Sequence, residues 1–263
     1  MKRLFVILIV LSVFADVYAK RDYSEEKGLI AVSDSTKVEI SVMKGDILVT
    51  PTSRDSIFFY CIKSAGDGLS ADDVSVEVDT THSNIVRISC SWKNPDDDYR
   101  GDIEVLLPLR IFLSRVFTTS GKINIDGVKG ECSVECFEGD INIKRFDGSL
   151  DIFNMHGNIN VADSRMIRKI ENLEGNITAD LRGESSDSVF IKTAGGKISL
   201  RISGASNASI FMETKNGKVT VSDYFSDRTV SENECVKRVT LNAGKSRIEV
   251  RNIEGDIELK PLN

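Results

Sequence analysis

The sequence predicts an all-β protein whose short strands stack as a solenoid. Three observations predict it. Glycines recur every nine residues from Gly121 to Gly175. Apolar residues alternate inside each repeat. Proline is missing between Leu109 and Lys260, with Pro51, Pro95, Pro108 and Pro261 all outside that stretch.

The repeat carries the most information. Cut at nine-residue intervals, the segments start at Gly121, Gly130, Gly139, Gly148, Gly157, Met166 and Gly175. Two positions after the start stand Ile123, Cys132, Ile141, Leu150, Ile159 and Ile177. Four positions after it stand Ile125, Val134, Ile143, Ile152, Val161, Ile170 and Ala179. Seven positions after it stand Val128, Phe137, Phe146, Met155 and Leu173. Residues two apart share one face of a strand, so the first two columns line one face. Glycine opens each strand because the preceding turn needs a permissive backbone or a close chain approach. A single coil of this kind cannot cover its own apolar face, and stacked neighbours must do so. Proline is excluded because it has no N–H for a central ladder.

The register then loosens. Gly196-Lys-Ile-Ser-Leu200, Gly217-Lys-Val-Thr-Val221 and Gly255-Asp-Ile-Glu-Leu259 repeat the strand motif, with Ser188–Lys192, Ala208–Met212 and Ser246–Val250 between or before them. The change from 18 to 21 residues suggests two strands per coil. Residues 20–110 are strand-rich but lack the grid: Lys37–Val42, Gly45–Val49, Ile57–Ile62, Val74–Val78, Ile85–Cys90 and Gly101–Val105 read as strands. This part is expected to be more irregular, partly antiparallel, and to cap the solenoid of residues 111–263. Met166–Leu173 is the best candidate for a helical turn.

Residues 1–19 read as a secretory signal peptide. Met1-Lys2-Arg3 is followed by an apolar run from Leu4 to Phe14 and by Val17-Tyr18-Ala19 as a cleavage site. Eleven residues cover about half of a ~30 Å hydrocarbon core, which argues against an anchor. No later segment is long and apolar enough to be a transmembrane helix. The mature chain is therefore expected to be exported, to the periplasm or the cell surface.

With these strands in view, the chain resembles the bacterial putative-adhesin family with a DUF4097-type domain. Gly45-Asp-Ile-Leu-Val49, the strand ending in Leu107-Pro108, Thr119-Ser-Gly-Lys-Ile-Asn-Ile125 and the later Gly-Asp-Ile strands carry the resemblance, over roughly residues 30–260. It implies a right-handed parallel β-helix or solenoid in an exported envelope protein, and it brings no catalytic residues. The loosened spacing, the five cysteines and the insertion from Ser222 to Val236 depart from the family pattern.

The chemistry-bearing residues point the same way. The 263 residues carry a net charge of −6, without the basic field of a nucleic-acid binder. Cys61, Cys90, Cys132, Cys136 and Cys235 are odd in number, so they cannot all pair internally. Cys132 falls on an inward position. Cys61 and Cys90 end neighbouring candidate strands, where a disulfide or two free thiols are both open readings. His82 and His156 are isolated, and no metal-ligand spacing or nucleophile motif occurs. Asp140 and Asp256 follow a glycine, but Lys122, Ser149 and Asn158 take that place elsewhere, against a regular calcium roll. Asp96-Asp97-Asp98 reads as a solvated loop. Asn124, Asn142, Asp151 and Asn160, each three residues after a repeat start, read as an outward ladder on one sheet.

No catalytic, cofactor-binding or metal-ligating residue is assigned, and no cofactor is expected. The sequence is read as a non-catalytic envelope scaffold, with an envelope protein or polysaccharide as partner, bound through the polar sheet face and the turns. The alternative is a polysaccharide lyase or hydrolase on a β-helix scaffold, which low aromatic content and the single Trp92 disfavour.

Overall fold

Glycine-led strands with alternating apolar residues form two long sheets laid face to face. The computed structural model describes residues 21–82, 84–181 and 188–262. The expected signal peptide lies outside the described residues.

Among the described residues nine rungs make the stack, each with one strand in either sheet. From one end they are β6 (Ile85–Ser91) with β7 (Tyr99–Pro108), β2 (Lys37–Lys44) with β3 (Ile47–Thr52), β8 (Phe112–Ser120) with β9 (Ile123–Asp126), and β10 (Lys129–Glu138) with β11 (Ile141–Lys144). Then come β12 (Asp147–His156) with β13 (Ile159–Ala162), β14 (Met166–Glu174) with β15 (Ile177–Leu181), and β16 (Ser188–Gly195) with β17 (Ile198–Ile202). The last two are β22 (Ser246–Glu254) with β23 (Ile257–Pro261), and β18 (Ala208–Asn216) with β19 (Val219–Val221). Neighbouring rungs pair in parallel in both sheets, as in β10 on β12 and β11 on β13. At one strand spacing per rung, the stack is roughly 40 Å long.

Antiparallel strands close the ends. β4 (Ser56–Ala65) pairs with β7, and β1 (Asp22–Ala31) covers β4. β5 (Ser75–Asp79) borders β6. At the other end β21 (Val236–Leu241) pairs with β18, and β20 (Thr229–Ser231) with β21, so the Ser222–Val236 insertion is built into the cap.

The fold is thus all-β and solenoid-like. Both sheets run through the region of residue 110, since β2 pairs with β8 and β3 with β9. Two expectations are corrected. Residues 166–174 are strand β14, not a helical turn, because Ile167 and Ile170 are drawn into the core by a register shift beside β12. Rung order also departs from chain order. The C-terminal rung β22/β23 is inserted between β16/β17 and β18/β19, and β2/β3 sits inside β6/β7.

The core is the gap between the sheets. Ile123, Ile141, Ile159, Ile177, Ile198 and Ile257 form one fully buried row on successive strands. Each contributes about 1.5–3 kcal/mol by burial.

Candidate interaction surface

The nine-residue grid serves two different corners of the coil. Gly121, Gly139, Gly157 and Gly175 turn the chain from one sheet to the other at one corner, whereas Gly130 and Gly148 start strands in the second sheet. At the first corner, successive rungs bring glycine against glycine. A β-carbon on Gly157, whose φ is +130°, would stand 2.1 Å from the Gly139 carbonyl oxygen. That contact, more than the φ value, demands glycine.

Three residues before the corner glycine stands a buried donor in every rung from β8/β9 onward. Thr118, Cys136, Asn154, Asn172, Thr193, Asn252 and Thr214 each give a hydrogen bond to the glycine carbonyl of the preceding rung, as in Asn172 Nδ2 to Gly157 O at 2.9 Å. One residue after the glycine, Asp or Asn accepts the backbone N–H of the next rung. Asp140 does so for Asn158 at 2.8 Å, and Asp256 for Lys218 at 2.9 Å. The Gly-Asp-Ile motif is thereby explained without a cation: its carboxylate caps an amide. Neither column was singled out from the sequence, although the small polar residue at glycine minus three was there to be read.

The same corner produces the most distinctive surface of the molecule. Two residues before the glycine, the side chain must point outward, because its neighbour at minus three points in. In five successive rungs this outward position holds Phe137, Met155, Leu173, Ala194 and Ile253. Their order follows from pairs that bracket them, Cys136 with Asn154 and Glu138 with His156 among them. Phe137, Leu173 and Ile253 are 36%, 42% and 36% exposed. Phe117 widens the stripe, its ring edge-on to Phe137 at 5.6 Å, and Phe153 lies half-buried beside Met155. Next to Ala194, a depression of about 330 Å³ opens between Phe190 and Ile253, with Lys192, Glu213 and Arg251 in its wall.

The column seven residues after each repeat start divides in two. Val128 and Phe146 are buried at the other corner, while Phe137 and Leu173 are exposed. A nine-residue period alternates between corners, so one sequence column becomes two structural ones. Acidic side chains flank the exposed half. Glu138, Glu174 and Glu254 follow it on the corner side, with His156 paired to Glu174 at 3.1 Å. Glu135 and Glu171 lie on the sheet side, held by Arg115 at 3.7 Å and Lys169 at 2.8 Å. Glu138 and Glu254 make no ion pair with the described residues.

The expected outward ladder is only partly assembled. Asn124, Asn142 and Asn160 are register neighbours on β9, β11 and β13, and Asn142 Nδ2 donates to Asn124 Oδ1 at 3.2 Å. Asp151 is not among them. It sits on β12 in the other sheet, between Ser133 and Lys169, and is ion-paired with Arg168. The reason is again the alternation of the grid between sheets.

The remaining candidates fall apart in space. His82 pairs with Asp79 at 3.3 Å in the turn before β6, far along the chain and the fold from His156. Two hydrogen bonds from Thr81 pull Asp79 down to about 2. Asp97 accepts from Asn94 at 2.9 Å, and Asp98 pairs with Arg21 at 3.1 Å, so the aspartate run pins its own loop. Trp92 is buried against Tyr99, ring centroids 5.7 Å apart, and offers no sugar platform. Burial pushes the Cys136 thiol up to about 11. Cys61 and Cys90 are not ladder neighbours as expected. They stand on different sheets, β4 and β6, and their sulfurs are not bonded to each other in the structure.

These features define a β-solenoid of repeated rungs with an apolar stripe along one corner. The chain belongs to the Toastrack DUF4097 family, whose profile matches residues 17–260. Among solved structures it is similar to a putative cell adhesion protein from Clostridium sporogenes, at 12% identity and TM-score 0.41, covering 92% of this chain and 100% of that one. It is also similar to a putative adhesin from Bacteroides fragilis, at 12% identity and TM-score 0.33, covering 91% and 97%. A putative lipid binding protein from Parabacteroides distasonis aligns at 10% identity and TM-score 0.27, covering 92% and 97%. At these scores the likeness does not extend to function. No curated protein matches the chain in sequence.

Proposed function

We propose that this protein is an exported, non-catalytic envelope scaffold of adhesin type that binds a protein partner along the Phe137–Ile253 stripe. The observation that carries the reading is the stripe itself. Five outward positions in successive rungs hold four large apolar residues and one alanine, and uncompensated apolar surface of this continuity marks an interaction site. The flanking Glu138, Glu174 and Glu254 choose the occupant: an extended or helical segment with one apolar face and lysine or arginine beside it. Export rests on the pattern of residues 1–19.

Binding of two synthetic peptides tests the reading. They share the same spaced leucines and differ in carrying lysine or glutamate between them. The lysine peptide is expected to bind, and to weaken at least tenfold in a Phe137→Ser/Leu173→Ser protein whose melting temperature is unchanged. Equal binding of the glutamate peptide, or no loss in the variant, overturns it. Protein recovered from its host is expected to start at Lys20. Turnover of a polysaccharide would instead select the lyase or hydrolase reading.

A further inference from the structure

Five cysteines are free in the structure, but their surroundings divide them. Cys132 gives its thiol proton to the Ser133 carbonyl at 3.6 Å, Cys136 to Gly121 O at 3.4 Å, and Cys235 to Gly217 O at 3.4 Å. Cys61 and Cys90 have each other. Both are fully buried, Cys61 on the antiparallel cap strand β4 and Cys90 on β6 of the opposite sheet. Gly101 on β7 lies against both sulfurs: a β-carbon there would meet Cys90 Sγ at 2.1 Å and Cys61 Sγ at 3.5 Å. Any side chain at 101 would fill the space where the two thiols meet.

The stack explains why this pair is special. Cys90 occupies the glycine-minus-three column, through Val42 on β2 and then Thr118 on β8. From Thr118 onward, residues of that column donate to the glycine carbonyl of the rung before them. β6/β7 is the first rung, so Cys90 has no such carbonyl, and its sulfur lies with that of Cys61 over Gly101. In the folded pair the neighbouring Cys61 thiol lowers Cys90, helped by the charge of nearby Lys63, while Cys90 and burial raise Cys61.

We infer that Cys61 and Cys90 form a disulfide that ties the N-terminal cap to the first rung, made by thiol–disulfide exchange during folding. The thiolate of one cysteine attacks a sulfur of a disulfide oxidant, expelling one oxidant thiolate and leaving a mixed disulfide. The thiolate of the other cysteine then attacks the first cysteine's sulfur and expels the second. Two S–H bonds are lost, one S–S bond is formed, and the oxidant leaves as two thiol groups that carry the two electrons and two protons. Because both sulfurs are buried once β1, β4 and β7 are in place, exchange precedes closure of the cap.

Refolding the denatured, fully reduced protein in glutathione disulfide tests this wherever the chain resides, so failure of the export reading would leave it standing. Non-reducing peptide mapping is expected to find one cross-linked pair, containing Cys61 and Cys90, with three thiols still titrating. The oxidised protein should melt about 5–10 °C above the reduced one, because a 30-residue loop is closed. Five titrating thiols after oxidative refolding, or a bridge to Cys132, Cys136 or Cys235, overturns it. Cys61→Ser should remove the cross-link and the melting difference together. Should that variant fail to fold, the wild-type oxidised and reduced pair still decides the matter.

Discussion

At the scale of single residues, the corner glycines are held by contact rather than by turn preference. Gly157 and Gly195 make the contrast. A β-carbon on Gly157 collides with a backbone oxygen of the preceding rung at 2.1 Å, whereas at Gly195 the nearest atom outside its chain neighbours is 4.0 Å away. Gly157→Ala is therefore expected to cost at least about 3 kcal/mol in a urea titration, and Gly195→Ala less than about 0.5 kcal/mol. Equal effects would show that the corner relaxes freely. Charge acts at this scale too. Glu258 on β23 is ion-paired with Lys197 at 2.7 Å and with Lys260 at 3.0 Å, which together hold its carboxyl below the usual range. A lowered carboxylate pKa stabilises above its unfolded value and stops doing so as pH falls through the folded one. Glu258→Gln should thus cost about 0.5–1 kcal/mol at pH 7, with the deficit closing on acidification below about pH 4. A deficit independent of pH would assign the loss to packing.

At the scale of elements, most strands of the stack were legible because their periodicity is local. Ile123 and Ile125, or Ile141 and Ile143, declare a buried face in a few residues. The glycine-minus-three donors are equally periodic, yet they pass for ordinary strand polarity until the coil closes and sets a carbonyl opposite each of them. Met166–Leu173 misled because Arg168 breaks the alternation, and only the β12 ladder shows the register shift that absorbs it. Phe137 and Phe146 part for a different reason. Both satisfy the same nine-residue template, but a two-corner coil turns alternate copies in opposite directions. The exposed stripe is the product of that geometry, and no single strand contains it.

At the scale of the whole molecule, stacking order has consequences that chain order hides. In a solenoid wound strictly in sequence, removing the last coil leaves the others paired. Here β22/β23 is the bridge between β16/β17 and β18/β19, and it carries buried Ile248, Val250, Ile257 and Leu259. Deleting residues 243–263 is expected to release β18, β19 and the β20–β21 cap together, seen as rapid proteolysis throughout residues 203–242 while the rungs from β6 to β14 stay protected. A truncated protein as resistant as the full chain would mean that β18/β19 can redock on β16/β17. The ends themselves are blunted by short or charged strands. β20 spans three residues, and β1 carries Asp22, Glu25, Glu26 and Lys27 along an edge that would otherwise invite another chain.

What the amino-acid order determined alone was the content of a rung: a glycine corner and two inward aliphatic residues. These are set within a few residues by strand pleat and backbone sterics. Tertiary structure alone decided the order of the rungs, the meeting of Cys61 with Cys90, and the side on which Phe137, Met155 and Leu173 emerge. The reason is that all rungs present nearly the same motif to their neighbours. Interchangeable surfaces carry no address, so their sequence along the axis is settled by how the caps and connections close, over distances that local patterns do not span.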